Sequence, residues 1–371
     1  MFMKHIKMFR AALAMLVMVL AAGYAQAEDP AAKWTFTNHW TYGAKVGAGS
    51  KPGITDGTFK IRLASAWAKN GRLSIFDNSS TRALSGGPGE TIDLRNVMID
   101  GIAVTNLSIG NFGFNGLNTF TNFYANHITG IGHSPFRDNT TALKHIELEG
   151  SITSIGSGTH NKAYGLFNGC SALTNIVMRF PKCSKINAGY LFYKCTALPE
   201  LIIDMPMLGA FPGYTFEYCQ SLTNLVLRCP KLTSIGDYQR YVTKLKHLEI
   251  SSTNTVDIGT TSGFLEGYFV LETLTFGGKV QSQATIDGLL TKVSAVAHTA
   301  EQTKKATVYV SKRKEWGWKS SGLISAFAGI EESYAPDNCL GVYRSGSRKA
   351  WVVHKDSPWD VISKGLKIIV R

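Results

Sequence analysis

Six cysteines and nine histidines are the residues of this 371-residue chain best equipped for chemistry. Thiols can pair, bind a soft metal or act as nucleophiles, and spacing decides among these. Cys170, Cys195 and Cys219 each stand three residues before a leucine (Leu173, Leu198, Leu222), inside stretches of nearly identical wording. Equivalent places in a repeat stack one above another. These three are therefore expected as a buried column of reduced thiols rather than as disulfides. Cys183 and Cys229 fall at other places, and Cys339 lies beyond the array. There is no C-x-x-C, and no histidine has metal-ligand spacing. His39, His133, His160 and His354 stand alone and read as surface or turn residues. No H-E-x-x-H or G-x-S-x-G occurs, and Gly47 to Gly53 lacks P-loop spacing. The 26 acidic residues include no pair in a general acid and base context. The sequence thus points away from an enzyme and calls for no cofactor or metal, although a triad assembled in space would leave no local motif.

The elements that hold the cysteines are repeats. LFNGCSALTNIVM starts at Leu166, LFYKCTALPELII at Leu191 and TFEYCQSLTNLVL at Thr215. Worn copies start at Phe136, Tyr238 and Phe264. Their leading leucines are Leu143, Leu173, Leu198, Leu222, Leu245 and Leu271, in steps of 30, 25, 24, 23 and 26 residues. A period near 24 residues with L-x-x-[LI]-x-[LI] at its heart specifies a leucine-rich-repeat solenoid. Pro181, Pro206 and Pro230 follow the strands, where a residue without an N–H fits. Ile155, Ile186, Phe211, Ile235 and Ile258 recur 12 or 13 residues after the leading leucine, as a second buried point per rung. Gly156, Gly236 and Gly259 follow three of them at an expected corner. Val104 to Ile109 fits the strand template and Ile92 to Leu94 fits it partly. Between Gly110 and Asn139 the register is lost.

The flanks differ in texture. Residues 1–27 carry Lys4, Lys7 and Arg10, an apolar run from Ala11 to Ala22, and Ala25-Gln26-Ala27, the pattern of a secretory leader. The run is too short for a membrane span, and no transmembrane anchor is expected. Export to the periplasm, cell surface or medium follows. Residues 28–102 read as an N-terminal β cap, with strand candidates at Trp34–Phe36, Thr58–Leu63 and Leu73–Phe76. Trp34, Trp40 and Trp67 are read as core rather than as a sugar platform. The solenoid spans 103–280, and 281–371 reads as a C-terminal α+β cap. That cap has a strand at Ala306–Val310, a helix at Leu323–Tyr334 and strands at Leu340–Arg344, Lys349–His354 and Leu366–Val370. The formal charge is +13, of which three cations belong to the leader, and residues 301–371 hold 13 Lys/Arg against 7 Asp/Glu. That balance suits anionic partners such as glycans. Nucleic acid is not expected, since no basic stripe with interleaved aromatics stands out.

The motif F-x-x-C-x-x-L-x-x-[LI]-x-[LI], with a proline soon after and then I-G, resembles the BspA-type leucine-rich repeats of bacterial surface proteins. The resemblance covers about Val104 to Phe276. It implies a mainly β solenoid with parallel strands on a concave face, short helices or turns opposite, and a part in attachment to proteins, cells or surfaces. On that face two columns point away from the core. One is Glu147, Val177, Ile202, Val226, Glu249 and Thr275; beside it run His145, Asn175, Glu200, Asn224, His247 and Thr273. An apolar middle with a polar rim is how many protein interfaces are built. The same valines and isoleucine could equally be plain strand formers. The leading expectation is a non-enzymatic adhesion protein that binds a protein partner on the concave face. The alternative is an anionic-glycan binder using the basic end with Trp316, Trp318, Trp351 and Trp359. A secreted enzyme with its site in a flank ranks third.

Overall fold

The computed structural model describes residues 37–46, 51–75, 84–86, 91–138, 142–156, 165–187, 189–236, 238–254 and 256, and the strand segments 273–276, 307–310, 323–324, 339–345 and 348–354. Every regular element among them is a strand, and no helix occurs.

Most strands form parallel ladders, one strand per rung. His145–Gly150 lies between Asn175–Arg179 and the long strand Asn122–Ile131. The latter pairs with Thr91–Leu94 through its first half and with Asn106–Ile109 through its second. A second ladder runs Glu200–Asp204, Asn224–Arg228, His247–Ser251, Thr273–Phe276, Thr307–Val310 and Arg348–His354. It closes with the antiparallel strands Cys339–Ser345 and Leu323–Ile324. The helix expected from Leu323 therefore begins as a strand, and 325–338 lies outside the described residues, as do Trp34–Phe36, Ile258, Gly259 and Leu366–Val370. The lost register after Gly110 is in fact a full rung. Phe120 takes the leading leucine's place and is fully buried. Asn122 aligns with His145, so Phe for Leu hid the rung from an L-x-x-L template. The long step from Leu143 to Leu173 spans 157–164, which also lie outside the described residues.

Residues of the motif form columns through the stack. Phe114, Phe136, Phe167, Phe192 and Phe216 are fully buried. They stack face to face at 5.6, 5.7, 5.6 and 6.1 Å. Each such pair adds about 0.5–1.5 kcal/mol beyond its buried area. The thiols lie beside them, buried and not joined in disulfides. They are more than small fillers, because each donates to a phenylalanine carbonyl of the preceding rung. Cys170 reaches Phe136 O at 3.0 Å, Cys195 reaches Phe167 O at 3.2 Å and Cys219 reaches Phe192 O at 3.2 Å. Burial pushes the Cys219 thiol up to about 12 and Cys195 well above its usual value, so both stay protonated donors. The second buried point makes short ladders of its own, Ser154–Ile155 with Lys185–Ile186 and Ala210–Phe211 with Ser234–Ile235.

Two rungs break the rule, each for a readable reason. Before several strands, two successive N–H groups grip one carbonyl of the rung below. Lys144 and His145 hold Thr121 O; Thr174 and Asn175 hold Lys144 O; Thr223 and Asn224 hold Pro199 O. Pro199 occupies that lead position in its own rung and has no N–H to give. The sheet is interrupted there, between Asn175–Arg179 and Glu200–Asp204. The second-point strands Lys185–Ile186 and Ala210–Phe211 also fall in separate sheets there, but the phenylalanine stack and the Cys195 bond cross the seam intact. The other exception is the rung of Tyr238, one residue shorter than its predecessor. There the Gln239 side chain replaces a missing backbone acceptor. Its Oε1 takes the Phe216 N–H at 2.7 Å, while Nε2 donates to Pro212 O and Gly236 O.

The N-terminal strands form a mostly antiparallel sheet in the order Leu84–Gly86, Phe59–Arg62, Lys51–Thr55, Asn38–Val46, Val97–Ile99 and Ile102–Ala103. Trp40 and Trp67 are buried, as core residues should be. Trp40 Nε1 donates to Asp93 O at 3.3 Å, tying this sheet to the parallel strand Thr91–Leu94.

Candidate partner-binding face

Side chains alternate along a strand, so each rung puts every second residue on the outer face. The register sets the expected residues in true columns within each ladder. Glu147 aligns with Val177, and His145 with Asn175. Beyond the seam Ile202, Val226, Glu249 and Thr275 follow one another, with Glu200, Asn224, His247 and Thr273 beside them. Asp93 and Tyr124 extend the first column toward the N-terminus.

Burial then separates the columns' members. Glu147 is only 7 % exposed. Arg179 Nη1 donates to its Oε1, and Arg95 Nη1 lies 4.0 Å from its Oε2. Arg95 also grips Asp93 through Nε and Nη2, at 2.9 and 2.5 Å, and lays its guanidinium 4.2 Å from the centre of the Tyr124 ring. Bonds between charged partners are the strong ones, and forked arginine contacts fix geometry as well. Burial raises the Tyr124 phenol, with Arg95 pulling the other way. Burial also holds His145 below the usual imidazole value; Glu147 opposes this and Arg95 reinforces it. The outer face before the seam is thus closed by its own ion pairs, and a partner would meet Arg179 rather than Glu147.

After the seam the closure is partial. Arg228 Nε stands 3.4 Å from Glu249 Oε1, and Asn224 Nδ2 donates to Glu200 Oε2 at 2.6 Å. Val226 is 6 % exposed, Val177 is half-buried, and Ile202 is 42 % exposed. Ile202 stands on the edge strand that Pro199 leaves unpaired on one side. The apolar middle therefore narrows to Ile202, bordered by charged and amide side chains. Sequence reasoning did not pick out Asp93, Arg95, Tyr124 and Arg179. A charge two residues beyond the outward position, as in Arg179, Asp204 and Arg228, was the available signal.

Of the lone histidines, His133 does sit at a turn but is buried, edge-on to Phe112 at 4.7 Å. Among the described residues no group of His, Cys, Asp or Glu could hold a metal ion, and no helix is long and apolar enough to cross a membrane. Trp316, Trp318 and Trp359 of the alternative basic site lie outside the described residues. Trp351 falls in the strand Arg348–His354, described here by its backbone.

Comparison with known proteins adds a family. Residues 93–166 and 163–262 match the BspA type leucine rich repeat region, in six copies. Among solved structures, the crystal structure of the T. pallidum leucine rich repeat protein TpLRR is similar at 18% identity. The match covers 59% of this chain and 83% of that one, with a TM-score of 0.33. No curated protein matches.

Proposed function

We propose that the chain, whose residues 93–262 match the BspA type leucine rich repeat region, is an exported, non-enzymatic binding protein. It holds a protein partner across the outer, concave face of its strand ladder. The observation that carries this is Ile202, a large apolar side chain 42 % exposed on the edge strand of the second ladder, with the Arg179–Glu147 pair across the seam and Arg228–Glu249 on the strands beyond it. Interface anchors are typically buried apolar or aromatic groups ringed by polar ones. The neighbouring charges are already paired within the chain, so they would set register and exclusion more than raw affinity. Family character supports the reading, because BspA-type repeats serve as scaffolds of surface and secreted bacterial proteins rather than as catalysts. The leader pattern of residues 1–27 supports export.

The test is capture from the native extracellular fluid by the immobilised mature chain, beside an Ile202→Asp variant of equal thermal stability. The reading expects a species held by the first and lost from the second; equal capture by both refutes it. For export, N-terminal sequencing of the released protein should begin at Glu28.

A further inference from the structure

We propose that the edge of the solenoid opposite the strands carries a saccharide-binding notch, at the N-terminal end of two tyrosine columns. Five of the six rungs from Phe120 to Leu245 turn through two residues in the left-handed conformation, and the rung of Leu173 through one. One of these places holds, in order, Gly116, Asp138, Gly169, Lys194, Tyr218 and Tyr241; the other holds Phe112, Ser134, Tyr190, Tyr214 and Tyr238 in the rungs that adopt it. Left-handed backbone suits glycine, asparagine and aspartate, and costs other residues roughly 1–2 kcal/mol each. The early rungs meet that demand partly with glycine and aspartate. From Tyr190 onward six bulky residues occupy it, with φ between 59° and 62°. Ring stacking offsets some of the strain: Tyr190–Tyr214 at 4.5 Å, Tyr214–Tyr238 at 4.7 Å and Tyr218–Tyr241 at 4.5 Å. It buries no core, for Tyr238 and Tyr241 remain 36 % and 45 % exposed. Bulky side chains held at an exposed place whose backbone suits glycine point to a role at the surface.

The columns stop abruptly. One rung earlier Gly165 stands where Tyr190 would, and Gly169 where Lys194 would. Gly169 lines an open groove of about 620 Å³ there, with Asp138 close beside it. Tyr190 and Tyr193, set nearly perpendicular at 5.0 Å, form an aromatic wall. Arg137, Asp138, Asn168 and Lys194 supply polar walls. Arg137 Nε is 3.1 Å from Asp138 Oδ2, so a planar guanidinium and a planar carboxylate lie side by side. Lys194 Nζ sits 5.2 Å from the Tyr193 ring centre.

A sugar ring has one C–H face that packs on an aromatic ring, and adjacent hydroxyls that each donate and accept. A carboxylate, an amide and a guanidinium are the side chains able to meet such hydroxyls in pairs. A phosphorylated ligand fits less well, because Arg137 is already engaged by Asp138. An apolar peptide fits less well because it would take water from Asp138, Asn168 and Lys194 and return no hydrogen bonds. The site is on the other side of the rung from Ile202 and does not depend on the partner proposed there.

Saturation-transfer NMR on the mature chain tests this, with four probes: methyl β-galactoside, methyl β-glucoside, N-acetylglucosamine and glucuronate. At least one should take up saturation, with a millimolar Kd of the kind a single sugar ring can reach. Tyr190→Ala and the shape-conserving Asp138→Asn should each weaken it at least about tenfold, a loss near 1.4 kcal/mol. Tyr238→Ala, at the far end, and Ile202→Asp should stay within about twofold, less than half that loss. Thermal melts confirm that each variant is folded. No transfer to any of the four sugars overturns the proposal. So does transfer that survives both Tyr190→Ala and Asp138→Asn, or that falls equally in Tyr238→Ala.

Discussion

The two ladders on either side of Pro199 share one motif and one phenylalanine stack, yet their outer faces differ. Before the seam, Asp93, Arg95, Glu147 and Arg179 interlock and roof the strands. After it, the ladder opens on an exposed isoleucine at its edge. The core columns dictate stacking, and they pass the seam unchanged. One proline at the lead position removes an N–H from the grip on the rung below, while the core columns run on across the break. In a repeat protein the core and the surface are thus set by different residues, and a local break can bare a binding face without loosening the stack.

The largest expected effect tests whether the stack really bridges the seam. Phe192→Ala removes a fully buried ring between two stacked neighbours and should cost about 3–5 kcal/mol. Both ladders should then lose stability together in a urea melt followed by hydrogen exchange. Separate transitions for residues 91–179 and 200–251 would break the shared-core half of the comparison. Gln239→Ala comes next. It orphans the Phe216 N–H and two carbonyls in the second ladder, for about 1–3 kcal/mol. Thermal unfolding reads this, and an unchanged midpoint would mean that water replaces the amide.

Pro199→Thr restores the residue type found at Thr174 and Thr223. Two regained hydrogen bonds at about 0.5–1.5 kcal/mol each outweigh the roughly 0.4–1 kcal/mol of unfolded-state freedom returned. A net gain of about 1 kcal/mol is expected, with slowed exchange at the Glu200 amide. Exchange as fast as in the parent chain would show that something other than the missing N–H makes the seam.

The smallest effect concerns pH. Burial depresses the His145 imidazole in the folded chain, so protonation favours the unfolded state. Its contribution is complete above the unfolded value near 6.5 and is lost as pH falls below it. His145→Gln should flatten the stability profile between about pH 7 and pH 5, as measured by urea midpoints at each pH.

Much of the stack is legible in the amino-acid sequence. The leading leucines, the Phe–Cys pair and the apolar point 12 or 13 residues on all have a fixed spacing and an invariant environment. Three features are not legible in that way. Phe120 hides a rung because a ring fills a leucine's place well enough for the fold, though not for a template. Pro199 stands in plain view, but Pro181, Pro206 and Pro230 mark strand ends, and only the register shows that Pro199 marks a strand's beginning. The surface is the least legible. Glu147 reads as rim until Arg95 and Arg179, from other rungs, are seen to cover it. The tyrosine columns gain meaning only from φ values that no spacing reveals.

One measurement bears most directly on the central claim, that the bared isoleucine anchors a protein partner. It is the affinity of the purified captured partner for the mature chain and for Ile202→Asp, at about 0.1 M and about 0.5 M salt. The account predicts at least a tenfold loss in the variant, roughly 1.4 kcal/mol or more. It also predicts little change with salt in the parent chain, because the flanking charges are paired internally. Undiminished binding by Ile202→Asp, or steep weakening of the parent by salt, would contradict it.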